Sequence, residues 1–168
     1  MKIIGIDTGS KGAIAEIDTK EKIVRWMKLP YREDGILSSS GIFEQFDFGE
    51  ADKIGVEEVG YIKNARGSAT FTFGKNFGMA MALLERYSYE IVRPQAWHKR
   101  INGSKIPDET RTTKDRSKAS FQRMNPDFGR IVKSHHEGMI DAFFIAYFCG
   151  LRGGVVMPNG FTFYEIEV

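Results

Sequence analysis

The chain has 168 residues, 42% of them hydrophobic and 12% aromatic, enough to enclose a sizeable core and to be read as one globular domain over 1–168. Its 24 Lys+Arg against 22 Asp+Glu leave a net charge of +2, too mild to declare a nucleic-acid partner. No run approaches the roughly 20 apolar residues of a membrane helix, and the lone Cys149 excludes an internal disulfide, so a soluble chain in a reducing intracellular compartment is expected.

In chain order, "KIIGIDTG" (2–9) is an isoleucine-rich run bounded by Gly9 and predicts a buried strand. "GAIAEID" (12–18) and "KIVRWMKL" (22–29), split by the polar "TKEK", predict two more strands in an antiparallel meander. "GIFEQFDF" (41–48) predicts a short helix, "KIGVEEV" (53–59) a strand, and 68–87 a helix from the spacing of Phe73, Phe77, Met81 and Leu84. "SYEIVRPQAW" is read as a strand stopped at Pro94, 102–114 as a polar loop, and 114–124 as a basic helix ending before Pro126. "HHEGMIDAFFIAYFCGLRGG" (135–154) predicts an apolar helix stopped by Gly153-Gly154, and the tail "FTFYEIEV" suits an edge strand. The expected architecture is α/β: a mixed sheet with helices packed on its faces.

Three places put acids where they are costly. Asp7 closes the first strand, where a turn role competes with a chemical one. In "GVEEVG", strand alternation puts Gly55 and Glu57 on one face, as it does Gly5 and Asp7, so adjacent strands bring Asp7 and Glu57 together over a glycine-cleared surface. Glu58 then points away. Asp141 lies within "DAFF" and needs a partner, while Glu137, one helical turn earlier, shares its face. A helix dipole accounts for Glu137 better than for Asp141. Four convergent carboxylates suit Mg²⁺ or Mn²⁺ rather than zinc, and His98, His135 and His136 show no zinc spacing. Two such ions about 4 Å apart activate a water and stabilise the leaving oxygen of a phosphodiester. The acids would repel DNA, but residues 93–133 hold eleven Lys or Arg against four acids and would supply phosphate contacts.

In this ordered set the sequence resembles the RuvC family of Holliday junction resolvases, in a phage-type variant, on the ribonuclease H-like/retroviral integrase fold. "IGIDTG" resembles the family's "GIDPG", "VEEVGYIKNARGSATFTFGKNFGMAMALL" its "IEQ" strand, Asn loop and glycine-bearing helix, "VRPQAWHKRI" its "PQTWKK", and "DAFFIAYF" its "ADALAIA" helix. "TKDRSKASFQRMNP" resembles the family's basic helix. The resemblance implies a five-stranded mixed sheet flanked by helices, with Asp7, Glu57 and Asp141 as metal-binding catalytic acids. It implies two Mg²⁺ ions per site, with Mn²⁺ able to substitute. Lys114 or Lys118 would be the basic stabiliser or DNA contact, joined by Lys99, Arg111 and Arg116.

The sequence also departs from the family. Gly138 stands where bacterial members carry an acid or histidine, leaving Glu137 or His136 as the fourth ligand. Position 60 is glycine where the family has a junction-opening aromatic, so Tyr61 either takes that part or is a core or rim residue. Trp97 is read as packed under the basic loop. The implied activity is paired nicking of four-way or branched DNA by a homodimer, leaving 5′-phosphate and 3′-hydroxyl ends. The glycine- and phenylalanine-rich helix 68–87 is either the dimer interface or plain packing on the sheet. A catalytically dead junction-binding module and an RNA·DNA hybrid nuclease are the competing readings. An actin or sugar-kinase reading of "GIDTGSKG" fails because those proteins need a second domain.

Overall fold

A computed structural model of the chain describes residues 1–9, 11–59, 67–104, 110–129 and 132–167. Strands β1 (Lys2–Asp7), β2 (Ala13–Asp18) and β3 (Ile23–Lys28) form the antiparallel meander, with Gly5 opposite Ala15 and Ala15 opposite Trp26. Helix α1 (Ser39–Phe43) and a 3₁₀ turn (Phe48–Glu50) lead into β4 (Lys53–Glu57), parallel to β1. Helix α2 (Gly67–Leu83), β5 (Glu90–Val92), α3 (Pro94–Asn102), α4 (Thr113–Met124), α5 (Pro126–Gly129), a 3₁₀ turn (Ser134–His136), α6 (Glu137–Arg152) and β6 (Thr162–Glu165) follow. The sheet order is β5-β4-β1-β2-β3-β6. The tail strand pairs with β3 in parallel, so the sheet has six strands rather than five.

Strand alternation divides the apolar residues between the two faces. Ile4, Ile6, Ile14, Ile54 and Val56 join Phe46, Phe48 and Leu84 on the α1–α2 side. Ile3, Ala13, Ala15, Val24 and Trp26 join α6, Trp97 and Phe121 on the other. Helix α6 is buried from Gly138 to Gly150 except at Asp141, which is half-buried. It is sandwiched between the sheet and an aromatic cluster in which Phe121 packs edge-on to Phe143 and Phe144. An all-round apolar sequence is what such a central helix requires.

The segment read as one strand running to Pro94 divides in two. Only Glu90–Val92 is extended, and Pro94 opens α3 at its first position, where its fixed φ suits a helix start. Helix α4 begins with a capping box, Thr112 and Asp115 each accepting from the other's backbone N–H. No helix among the described residues is long and apolar enough to cross a membrane.

Candidate active site

Asp7 ends β1 and is only 7% exposed. Its Oδ1 accepts the Gly9 N–H at 2.8 Å, so its turn role and its place among the acids coexist. The parallel register pairs Gly5 with Gly55 and Ile6 with Val56, which puts Glu57 next to Asp7. The two glycines do more than clear the surface. A Cβ at Gly5 would run into the Ala142 carbonyl oxygen and the Ala146 nitrogen, and one at Gly55 into Cys149 Sγ. Helix α6 therefore lies directly on the β1 and β4 backbones, and this close approach brings Asp141 to the two strand acids.

Asp7 and Glu57 lie close enough for their charges to act on Asp141, and Asp7 on Glu57. Burial pushes the Asp7 carboxyl up, opposed by the Gly9 N–H and by Lys114. Burial pushes Glu57 up to about 7, the charge of Asp7 adds to this, and a hydrogen bond from Trp97 opposes it. Burial pushes Asp141 up to about 8, followed by repulsion from Asp7 and Glu57, with Lys114 opposing and Glu137 adding. Asp141 accepts no hydrogen bond from any described residue. Desolvated, mutually repelling carboxylates hold protons until a cation replaces them, and an all-oxygen set fits a hard divalent ion.

The resemblance also left the fourth ligand open between Glu137 and His136. Glu137 opens α6, and its Oε2 accepts from Lys114 Nζ at 2.9 Å and from Lys11 Nζ at 3.3 Å. These lysines, Lys114 first, hold its carboxyl below the usual range. Gly138 has a steric cause: a Cβ there would overlap the Lys11 carbonyl oxygen, with Asp7 Oδ2 3.6 Å away. His136 turns away from the acids. Its ring stacks on Trp26 at 5.8 Å, its Nδ1 accepts the Lys133 N–H at 3.0 Å, and its Nε2 lies 3.3 Å from Glu165 Oε2.

Among the described residues, the three potential metal-binding side chains whose ligand atoms all lie within 4.8 Å are His135, His136 and Glu165. Such a group could take a metal ion. With Nδ1 accepting from backbone, however, neutral His136 carries its proton on Nε2 and donates to Glu165. It would have to give up one of those bonds to become a ligand. The three acids are not drawn in to that spacing.

The basic residues differ in their surroundings. Lys114 and Lys118 line a pocket of about 160 Å³ together with Lys133, Ser117 and Asp141. Lys99 and Arg111 are exposed. Arg116, expected as a DNA contact, also caps α3: its guanidinium donates to the carbonyl oxygens of Asn102 and Gly103 at 2.8 Å and of Ser104 at 3.1 Å. Tyr61 lies outside the described residues.

Two contributors escaped the sequence reading. Lys11, in the turn after β1, reaches Glu137 across 126 positions. Trp97 is fully buried, as expected, but its Nε1 also donates to Glu57 Oε1 at 2.8 Å. A tryptophan in the first turn of a Pro-started helix was the available signal for the second.

The site thus sets a strand-end aspartate and glutamate on parallel neighbours against an aspartate of the helix packed on that face of the sheet. No protein-family model and no curated protein matches the sequence. Among solved structures, the chain is similar to the Thermus thermophilus RuvC structure, at 15% identity and TM-score 0.55, covering 94% of this chain and 99% of that one. It is also similar to T. thermophilus RuvC in complex with a Holliday junction substrate, at 13% identity and TM-score 0.59, with the same coverages. The fold is that of the RuvC resolvases.

Proposed function

We propose that the protein is a metal-dependent endonuclease that nicks paired strands of four-way or otherwise branched DNA. The observation that carries this reading is the convergence of Asp7, Glu57 and Asp141, three carboxylates from β1, β4 and α6 whose proton affinities are raised by burial, for Glu57 also by the charge of Asp7, and for Asp141 also by those of Asp7 and Glu57. They would hold one or two Mg²⁺ ions, which supply Lewis acidity to the attacking water and the leaving oxygen. Glu137 stands at the edge of the group as a further oxygen donor. Lys114, beside Glu137 and within the field of Asp7 and Asp141, would present an N–H⁺ to a phosphate oxygen and offset the charge that builds there. Lys118, Lys99 and Arg111 would hold flanking phosphates.

A four-way junction presents equivalent strands to two sites, which a two-fold homodimer satisfies. The outer face of α2 is a fitting interface: Phe71 is 68% exposed, and Gly74 and Gly78 have open space above them. The RuvC structure that carries a junction substrate supports branched DNA as the ligand.

The test compares junction, duplex, flap and RNA·DNA hybrid substrates with and without Mg²⁺. Junction cutting by the wild type, and binding without cutting by Asp7→Asn, are the expected results. Normal cleavage by Asp7→Asn would remove the acids from the chemistry.

A further inference from the structure

The Glu57 carboxylate must ionise among other acids and still present a definite oxygen to a cation. Of its two oxygens, Oε1 accepts the indole N–H of Trp97 at 2.8 Å. The indole is itself immobile. It is 0% exposed, stacks on Phe144 of α6 with centroids 5.9 Å apart, and lies against His98 at 3.6 Å. Its helix begins immediately after β5, the strand paired with Glu57 through Val92.

An indole N–H suits this place for a chemical reason. It only donates, and it carries no charge. A lysine or arginine there would orient Glu57 equally well but would neutralise it and compete with a cation. The other buried tryptophan shows that the bond is not a default of burial: Trp26 Nε1 has no hydrogen-bond partner among the described residues.

We propose that Trp97 is a positioning residue for Glu57, its N–H fixing Oε1 so that the other oxygen is turned toward Asp7 for divalent-cation binding. The inference rests on the reading that the three acids hold the cation. Partners that orient metal ligands typically contribute about 10–100-fold in affinity. Trp97→Phe keeps a buried aromatic ring and deletes the donor together with part of the indole's volume, which the double variant with Glu57→Gln controls for.

The test measures Mn²⁺ binding to the full chain by electron paramagnetic resonance, with no DNA present. Trp97→Phe is expected to weaken binding by about 10-fold and to have no further effect in a Glu57→Gln background, because the two groups act as one unit. Tight binding by the wild type with unchanged binding by Trp97→Phe overturns the inference and leaves the acids' role intact. Additive weakening in the double variant overturns it too, since that marks a general packing defect. No Mn²⁺ binding by the wild type overturns both the inference and the reading beneath it. A measurement on the unaltered protein guards against a variant that fails to fold. In ¹⁵N-tryptophan spectra, Mg²⁺ should move the Trp97 indole resonance and leave that of Trp26 in place. A Trp97 signal that stays still at saturating Mg²⁺ would sink the proposal.

Discussion

Glu57 and Asp141 have proton affinities set by the same geometry that would make them ligands. Both carboxyls are raised in the folded chain, to about 7 and about 8, so the folded state holds protons that the unfolded state has released. The stability this contributes is complete below about pH 4, near the unfolded values, and is lost as pH rises through 7 and 8. The metal-free protein is therefore expected to melt several degrees lower at pH 8.5 than at pH 5.5. Mg²⁺ should close most of that gap, because it replaces the missing protons. Thermal melts with EDTA and with Mg²⁺ across this range check the sign, and Asp141→Asn should flatten the metal-free curve. Lys114 acts at the same scale. Its ammonium lies 2.9 Å from Glu137 and within the field of Asp7 and Asp141. Lys114→Ala should lower cleavage and reduce the salt slope of junction binding by about one ion. An unchanged slope would place the DNA elsewhere.

At the scale of the element, α6 decides whether there is a site at all. Its first turn carries Glu137, its second Asp141, and its apolar remainder fills the space between the sheet and the aromatic cluster. Its depth is set by the absence of side chains at Gly5 and Gly55. Gly5→Ala would force the helix off β1, because the added methyl meets backbone and not a movable side chain. We expect a loss of roughly 1–3 kcal/mol from overpacking. Mn²⁺ affinity should fall further than that loss alone would suggest, as Asp141 is carried away from Asp7. Calorimetry with Mn²⁺ separates the two effects, and an unchanged affinity would show that the helix position is not critical. Helix α4 is held differently, by its capping box and by Arg116 spanning to the end of α3. Only part of its positive charge is therefore free for phosphates.

For the whole molecule, the proposed paired nicking requires two sites to face one junction. The outer face of α2 exposes Phe71 and Met79 at 68% and 38%, with the Lys75 ammonium 5.3 Å from the centre of the Phe71 ring. Phe71→Asp should shift sedimentation from dimer to monomer. It should also turn paired nicks in a cruciform plasmid into single, uncoordinated ones. A variant that stays dimeric would move the interface to another face.

The sequence by itself determined the local order: the isoleucine-rich strands, the antiparallel meander, the central apolar helix, and the acids that interrupt apolar runs. Those features follow from periodicity and from the cost of burying a charge, both readable along the chain. It also carried the start of α3, at Pro94, since a proline that ends a strand equally suits the first position of a helix. Side-chain alternation put Gly5 with Asp7 and Gly55 with Glu57 on one face each, and the parallel pairing of β1 with β4 then brought the two acids together. Only the tertiary structure decided the rest. That Gly138 is glycine because the Lys11 carbonyl fills its place, that His136 turns to Trp26 and Glu165, that Arg116 caps a helix, and that Trp97 holds Glu57 are contacts between residues distant in sequence. Such contacts depend on how closely two backbones approach, and composition and spacing along one strand or helix do not contain that distance.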